Sequence, residues 1–474
     1  MTLPVLPGFH PDPSICRVGE DYFLANSSFE YLPGVPISTS RDLLHWRRLG
    51  HALDRPGQLP PPAGAGSGGI YAPTLRHHGG RFWMVTTDVA RFDAGHLIVW
   101  AEDPAGPWSD PVFTTGAVGI DPDLTWTAAG ECYLTWCGEG IRQARVDPST
   151  GALLSAPERL WSGTGLAYPE GPHLYQRGDW WYLVIAEGGT ERGHAVSVAR
   201  SRHVSGPFEP HPGNPILTHR STTHPVQNTG HADLVELPDG SWAMVYLGVR
   251  PRGGTPMFHV NGRETFLAGV RWDDDWPSVD ESRFDVPPVP TAFEDDFPAL
   301  DPRWIALGDH PSAFASVGDG LTLAAGEGFL GVRAADPWWQ ASAAVESPSA
   351  RLALRLDARH HVSVALSDGV LTASATVGQL TQVLATAPAS SPVTLAVRTV
   401  PPPDGLGPLA PPDMIELGHL TADGFVTLAS FDGRYLSTEV AGGFTGRVIG
   451  LDRLPAPTTV RRFTYVAEQY SRGR

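Results

Sequence analysis

The chain has 474 residues, a length that predicts two or more domains. Its 53 glycines and 46 prolines, together with 41% hydrophobic residues, are typical of a turn-dense all-β protein and exclude a disordered one. The formal net charge of -17 argues against nucleic acid or an anionic membrane as a partner, and it is compatible with a neutral ligand such as a sugar.

The N-terminal segment, residues 1–7, has no basic region followed by an apolar run, so no secretory signal is predicted. No segment is apolar over the length that a membrane span requires, and we expect a cytoplasmic protein. Cys16, Cys132 and Cys137 are an odd number without a Cys-x-x-Cys pair, which favours buried thiols over a disulfide or a zinc site.

Five units with a common pattern occupy the first 245 residues. Each unit has a short cluster with an acid, a histidine or a proline, then an apolar stretch, a turn with Gly or Asp, and an aromatic strand. In chain order the units occupy residues 11–25, 71–85, 121–134, 170–183 and 231–245. A period near fifty with this content predicts a five-bladed β-propeller, in which each blade is a four-stranded sheet around a central axis.

The innermost strand of a propeller blade begins at the axis, so the first residues of each unit should meet at one end of the central channel. These residues include Asp12, Asp121, Glu170 and His231. Glycosidic bond cleavage needs one protonated and one ionised carboxyl group, which such a meeting point supplies. The simpler alternative is that Asp before Pro only ends a strand, but three of the five units carry an acid at the equivalent place.

A Pro-rich break at residues 286–290 follows the last tryptophan-rich segment and marks a change of composition. Twelve of the fifteen tryptophans precede it, whereas the later part alternates in short strands. We therefore predict an all-β protein with a five-bladed β-propeller over residues 1–286, a linker at 287–290, and a β-sandwich domain over 291–474.

Six further segments stand out along the chain: 7–15 (PGFHPDPSI), 27–36 (SSFEYLPGVP), 119–122 (GIDP), 169–175 (PEGPHLY), 230–233 (GHAD) and 262–265 (GRET). In these motifs and in their order the chain resembles glycoside hydrolase family 43, the β-xylosidase and α-L-arabinofuranosidase family. The C-terminal part resembles the β-sandwich that follows the propeller in the β-xylosidase-like members.

The resemblance implies an inverting mechanism and a role for each acid. Asp12 would be the general base that draws a proton from the attacking water, and Glu170 the general acid that protonates the leaving oxygen. Asp121 would hold Glu170 in position and raise its pKa. An inverting enzyme keeps its two principal carboxyl groups roughly 6.5–9.5 Å apart, because a water must fit between the base and the sugar.

Further site residues follow from the same resemblance. Arg263 would bind sugar hydroxyls and tune the carboxylates, although a surface ion pair is the simpler alternative for an Arg-Glu pair. His231 is either a buried, hydrogen-bonded histidine or part of a calcium or other cation site, as an axial histidine is in some related enzymes; no cofactor is otherwise expected. Apolar rings favour sugar faces, so Phe29, Tyr71 and Trp100 are candidates for the pocket wall. β-Xylosidases of this type commonly carry Trp where this chain has Tyr71.

An exo-acting hydrolase that removes xylose from β-1,4-linked xylo-oligosaccharides fits these features best. An α-L-arabinofuranosidase would use the same acids in a differently shaped pocket. A retaining fructan-cleaving enzyme shares the fold, but it opens with an Asn-Asp-Pro-Asn type segment that this chain lacks. A carbohydrate-binding propeller without catalysis is the remaining alternative. The expected partner is a small oligosaccharide, with no nucleic acid or membrane, and a homo-oligomer is left open.

Overall fold

The computed structural model of the protein describes residues 2–61, 66–389 and 391–468. Its contacts divide the chain into two compact units. The first unit runs to residue 6 and then takes in residues 10–249 and 263–289, while the second takes in 7–9, 250–262 and the chain from 290 onward. Two short segments inside the predicted propeller range thus group with the C-terminal unit. Residues 469–474, at the end of the predicted sandwich, lie outside the described residues.

Five four-stranded antiparallel sheets make up the first unit, and each one corresponds to one of the repeated sequence units. Blade 1 contains β1 (Ser14–Val18), β2 (Asp21–Ala25), β3 (Gly34–Ser40) and β4 (Arg47–Leu53). Blade 2 contains β5 (Thr74–His78), β6 (Arg81–Thr86), β7 (Leu97–Ala101) and β8 (Val112–Phe113). Blade 3 contains β9 (Ile120–Trp126), β10 (Cys132–Gly138), β11 (Gly140–Arg145) and β12 (Glu158–Trp161). Blade 4 contains β13 (Glu170–Arg177), β14 (Trp180–Glu187), β15 (Ala195–Ser201) and β16 (Glu209–Pro210). Blade 5 contains β17 (Gln227–Glu236), β18 (Trp242–Val249), β19 (Glu264–Asp273) and β20 (Trp276–Asp280).

The first strand of each blade is the innermost one. These five strands contact one another in order around the axis, and β17 contacts β1, so that the ring is closed. The N-terminal segment strengthens the closure, because the backbone of Val5 and Leu6 bonds to Thr265 on β19 of the last blade. The predicted five-bladed propeller is therefore confirmed.

Apolar side chains between the blades form the core of the propeller. Successive residues of a strand face opposite neighbours, as the period of two requires. Met84 on β6 belongs to the cluster shared with blade 1, whereas Val85 belongs to the cluster shared with blade 3. Cys16 and Cys132 are buried in the same two clusters, and all three cysteines are free thiols. The expectation of core thiols is confirmed for these two, while Cys137 is half-buried.

A buried ion cluster lies on the axis, where the innermost strands meet. The guanidinium of Arg76, on β5, donates to Asp123 on β9 at 2.8 Å and to Asp233 on β17 at 2.7 Å. Both carboxylates have fully buried side chains, and the arginine side chain is only 15% exposed. Charge pairing and hydrogen bonds to the Arg76 guanidinium offset the desolvation of both acids and keep their pKa values below the usual range.

Asp233 extends this cluster to the other blades. It accepts hydrogen bonds from the Ser14 hydroxyl at 2.7 Å and the Ile15 amide at 2.9 Å on β1, and from the Tyr175 hydroxyl on β13. His173, also on β13, lies 3.0 Å from the Arg76 guanidinium through Nδ1. Each of the five blades thus contributes at least one side chain to a single polar cluster.

The second unit is a β-sandwich. In chain order its strands are β21 (Phe293–Asp295), β22 (Ile305–Leu307), β23 (Ala315–Gly318), β24 (Gly320–Leu323), β25 (Phe329–Arg333), β26 (Trp339–Val345), β27 (Ala350–Arg355), β28 (His360–Ser367), β29 (Val370–Val377), β30 (Leu380–Pro388), β31 (Val393–Val400), β32 (Met414–Thr421), β33 (Gly424–Asp432), β34 (Val448–Asp452) and β35 (Thr458–Ala467). One sheet has the order β23-β24-β35-β26-β31-β32-β33 with β21 on β35, and the other β22-β25-β34-β27-β28-β29-β30. A single apolar core lies between them.

Helices are short throughout the described residues. They are α1 (Pro311–Phe314), α2 (Thr438–Ala441) and three 3-10 turns at Val89–Ala94, Gly407–Leu409 and Gly433–Leu436. None of the helices in the described part of the chain has the length and apolarity to cross a bilayer.

Replacing Asp233 with alanine should lower the free energy of unfolding by about 3–5 kcal/mol, because Arg76 would keep a buried charge with only one acidic partner. The midpoint of urea denaturation measures this loss. The matched control is Asp21→Ala, which removes an exposed ion pair with Arg41 and should move the midpoint little, because water screens exposed charges. Equal shifts of the two midpoints would contradict a structural role for the axial cluster.

Candidate active site

A local irregularity brings the predicted acids into one mouth of the central channel. In blades 3, 4 and 5, three residues of the innermost strand lie opposite two residues of its neighbour, at the start of the strand. Such bulges redirect side chains and are frequent beside active sites. Asp12, Asp121 and His231 have φ angles of 51°, 55° and 46°, a conformation that non-glycine residues adopt only under local constraint.

Asp12 is buried and held from two sides. Its Oδ1 accepts a hydrogen bond from Nη1 of Arg263 at 2.8 Å, and its Oδ2 accepts one from the Ser27 hydroxyl at 2.5 Å. The backbone before it is also fixed, because the Asn26 side-chain amide donates to the carbonyls of His10 and Pro11. The carboxylate is thereby fixed in position with its acceptor oxygens engaged by one cation and one hydroxyl.

Glu170 has a different environment. Its side chain is 20% exposed, and among the described residues it shares no hydrogen bond with Asp12. Burial, reinforced by the negative charge of Asp12, raises the pKa of Glu170 to about 7, although Arg263 opposes the shift. The site therefore contains one carboxyl group that holds its proton near neutral pH and one carboxylate bound to a guanidinium.

Asp121 is buried beside Glu170. Its Oδ2 accepts a hydrogen bond from the amide of Gly171 at 3.2 Å, so it contacts the residue that directly follows Glu170. Burial and the adjacent charge of Glu170 raise the pKa of Asp121 well above its usual range. Gly171 itself has φ of 57°, and a Cβ there would lie 3.0 Å from the His231 ring. Only glycine fits this close approach of strand and ring.

Two neutral histidines lie against the acids. Nδ1 of His231 is 3.8 Å from Oδ1 of Asp12, and burial lowers the His231 pKa to about 4. His194 lies between β14 and β15, and burial lowers its pKa to about 3. His194 Nδ1 donates to the Asn228 carbonyl at 3.0 Å, which leaves Nε2 as an acceptor 3.8 Å from Glu170. Neither ring contributes positive charge at neutral pH.

Arg263, Phe29 and Tyr71 also lie at this mouth. The Arg263 guanidinium lies 5.5 Å from the Phe29 ring centroid and donates to the Thr190 hydroxyl at 3.2 Å. The Phe29 and Tyr71 rings are 5.2 Å apart. Burial, and then the charge of Asp121, raise the pKa of Tyr71. The two rings thus form an apolar wall beside polar groups that could bind sugar hydroxyls.

Trp100 does not join this wall, so that prediction is wrong. It lies on β7 with its ring 3.9 Å from the Arg81 guanidinium and 6.5 Å from the Trp83 ring. Arg81 begins β6 at the hairpin turn, whereas the acids lie at the opposite end of the innermost strands. Trp100 packs within its own blade because aromatic residues in a strand contact their cross-strand neighbours.

The sequence did not identify Ser27, Thr190 or His194. Ser27 lies within the segment 27–36 that carries the family resemblance, so a signal was available for it. Thr190 and His194 come from the connection between the second and third strands of blade 4, where the repeat has no distinctive residue.

Asp121, Glu170 and His231 each offer one ligand atom, and the three atoms lie within 4.8 Å of one another. Calcium prefers six to eight oxygen ligands, and this set supplies two carboxylates and one imidazole. A cation here would also compete with the proton held by Glu170. The set therefore fits calcium poorly.

Comparisons with known proteins identify the family of the chain. A model of glycosyl hydrolases family 43 matches residues 1–277. A non-reducing end α-L-arabinofuranosidase of Bacteroides ovatus is 36% identical over 490 aligned residues, covering 94% of this chain and 90% of that protein. A xylosidase/arabinosidase of Butyrivibrio fibrisolvens is 45% identical over 309 residues, covering 60% of this chain and 59% of the relative.

Solved structures cover both units. The xylan β-1,4-xylosidase from Bacillus halodurans matches with a TM-score of 0.86 at 28% identity, and covers 98% of this chain and 99% of its own. A five-bladed propeller with several buried carboxyl groups at one channel mouth, in a chain with such relatives, is a glycoside hydrolase. The chain belongs to glycosyl hydrolases family 43, whose members among its relatives are xylosidases and arabinofuranosidases.

The raised pKa of Glu170 has a consequence for stability. The unfolded chain releases this proton near pH 4.3, whereas the folded chain keeps it to about pH 7, so stability falls as pH rises through that window. Glu170→Gln cannot lose a proton. The variant should gain about 1–3 kcal/mol over the natural protein at pH 8 and little at pH 4.

Thermal unfolding at both pH values measures this gain, with Glu209→Gln on the exposed outer strand β16 as the matched control. The same difference between variant and natural protein at pH 4 and pH 8 would show that Glu170 titrates in the ordinary carboxyl range.

Proposed function

We propose that the protein is an inverting, exo-acting glycoside hydrolase that releases xylose from the non-reducing end of short β-1,4-linked xylo-oligosaccharides. The observation that carries this proposal is that Asp12 and Glu170 have different environments. Asp12 is bound to a guanidinium, whereas Glu170 is held in its protonated form by burial and by the charge of Asp12. Hydrolysis with inversion needs one base and one acid in these two states.

Asp12 acts as the general base. Each carboxylate oxygen has two lone pairs, so Asp12 can accept from a water while it still accepts from Arg263 and Ser27. The water loses its proton to Asp12 as its oxygen bonds to the anomeric carbon. Thr190, which also accepts from Arg263, helps to fix the guanidinium that aligns the base.

Glu170 acts as the general acid. It gives its proton to the glycosidic oxygen as the bond from that oxygen to the anomeric carbon breaks, and the leaving sugar departs as an alcohol. Asp121 accepts a hydrogen bond from the Gly171 amide and so holds the residue that follows the acid, while the neutral His194 offers an acceptor toward the acid. After turnover Asp12 releases its proton to solvent and Glu170 takes one up from solvent, so both groups return to their starting states. No cofactor is needed.

An α-L-arabinofuranosidase is the second candidate, and two observations favour it. The relative that aligns over 94% of this chain is named as such an enzyme. Tyr71 also stands where xylosidases of this type commonly carry Trp, so the pocket wall differs from theirs. Both sugars are neutral pentoses, and both reactions would use Asp12, Glu170 and Asp121 in the same roles.

Substrate choice is tested by side-by-side assays of 4-nitrophenyl β-D-xylopyranoside and 4-nitrophenyl α-L-arabinofuranoside, with a chelator present. Faster cleavage of the xyloside is expected. Faster cleavage of the arabinoside would instead support the α-L-arabinofuranosidase. Proton NMR of the xylose first released from 4-nitrophenyl β-D-xylopyranoside, before it mutarotates, should show the α anomer, because the reaction inverts the β configuration. β-Xylose as the first product would contradict the inverting mechanism.

The roles of the two acids separate when the leaving group is varied. Glu170→Gln should lower kcat on xylobiose by about 10³-fold, but far less on 2,4-dinitrophenyl β-D-xylopyranoside, whose leaving group needs no proton. Asp12→Asn should lower kcat on both substrates, because water activation is common to them. Glu209→Gln should leave both rates unchanged. The reverse pattern for Glu170 and Asp12 would exchange their roles.

A further inference from the structure

A second group of potential metal ligands lies outside the candidate active site. His219 and His224 belong to the segment that leads from β16 of blade 4 into β17, and Glu281 directly follows β20 of blade 5. Each offers one ligand atom, and the three atoms lie within 4.8 Å of one another. None of the three belongs to the catalytic machinery, so their arrangement has no explanation in the proposed reaction.

The backbone of Val226 orients both imidazoles. Nδ1 of His219 donates to the Val226 carbonyl at 2.8 Å, so its Nε2 points the other way. Nδ1 of His224 lies between that carbonyl, at 3.1 Å, and the Val226 amide, at 3.2 Å. In both rings the backbone engages Nδ1. Metal-binding histidines are commonly held in this manner, with the second ring nitrogen on a backbone carbonyl and the first on the ion.

Glu281 completes the group and is itself oriented. Its Oε1 accepts a hydrogen bond from the Tyr246 hydroxyl at 3.0 Å, and its Oε2 lies 3.0 Å from Nε2 of His219. The Glu281 side chain is 31% exposed and His224 is half-buried, so an ion and a water ligand can reach the group from solvent. One carboxylate oxygen and two imidazole nitrogens thus lie within 4.8 Å of one another at a place that solvent can reach.

We propose that His219, His224 and Glu281 bind one zinc ion or a similar divalent transition metal. Two imidazoles and one carboxylate suit zinc, whereas calcium and magnesium prefer oxygen ligands. Ligand atoms around a tetrahedral zinc stand about 3.3 Å apart, close to the existing separation of His219 and Glu281. Binding replaces the proton between that pair, moves His224 inward, and leaves a fourth position for water.

The ion would link the segment that precedes blade 5 to the segment that follows it. His219 and Glu281 are 62 residues apart, and the four strands β17 to β20 all lie between them. A ligand that binds only the folded chain raises stability with its concentration, by RT ln(1 + [L]/Kd). The expected effect of zinc is therefore a higher unfolding temperature, not a change in the chemistry at Asp12 and Glu170.

The test uses full-length protein without a histidine tag, loaded with Zn²⁺ or with Co²⁺ as a spectroscopic probe. The test variant is His224→Asn, which removes a ligand but keeps the hydrogen bond between His219 and Glu281, so it should fold. The matched control is His203→Asn, which removes an exposed imidazole that follows β15 of blade 4 and lies outside the group. Asp121→Asn is included because the axial acids could also attract an ion.

Zinc should raise the unfolding temperature of the natural protein and of His203→Asn by several degrees, and tetrahedral Co²⁺ absorption should appear in both. The affinity of the His224→Asn variant for zinc should be at least tenfold lower than that of the natural protein. The Asp121→Asn variant should bind zinc as tightly as the natural protein. Equal affinity in His224→Asn and the natural protein would overturn the proposal. So would Co²⁺ absorption that disappears in Asp121→Asn and persists in His224→Asn, because the ion would then lie among the axial acids.

Discussion

The ion cluster of Arg76 with Asp123 and Asp233 is the interaction on which the propeller depends. Each blade completes its hydrogen-bond ladder within its own four strands, so neighbouring blades meet mainly through apolar side chains, which pack without a strict register. The buried guanidinium is different, because its desolvation is offset only when both carboxylates and the groups around them are in place. It therefore fixes the innermost strands of blades 2, 3 and 5 against one another, and Asp233 extends that constraint to blades 1 and 4.

The same cluster positions the groups of the candidate active site. Asp121 and Asp123 lie two residues apart on β9, and His231 and Asp233 lie two apart on β17, so the strands fixed by the cluster also carry the groups at the channel mouth. Arg76 is paired with two carboxylates and is not among the charges that shift the pKa of Glu170. The cation that does reach the site, Arg263, binds Asp12. Arg76 thus joins the innermost strands, whereas Arg263 binds one of the carboxylates at the channel mouth.

The sequence predicts the position of a residue in the fold when that residue lies within one of the five repeated units. Position within a repeated unit translates into position on the axis, so the five blades and the meeting of the acids follow from the pattern. His194 and Thr190 approach from a connection between strands, where their contacts depend on the path of the chain and not on its periodicity. The prediction that Trp100 lines the pocket is wrong for a related reason. The contacts of an aromatic residue in a strand depend on its neighbours on adjacent strands, here Arg81 and Trp83.

The pairing of Asp12 with Arg263 joins residues 251 positions apart, and Val5 and Leu6 bond to Thr265 in the same region. During synthesis the first blade emerges long before its electrostatic partner exists. A ribosome must therefore translate past residue 263 before Asp12 can acquire its guanidinium and the ring can close. Asp12 acquires this partner only near the end of propeller synthesis, so a nascent or truncated chain that stops between blade 4 and residue 263 has four complete sheets but lacks the guanidinium that binds Asp12.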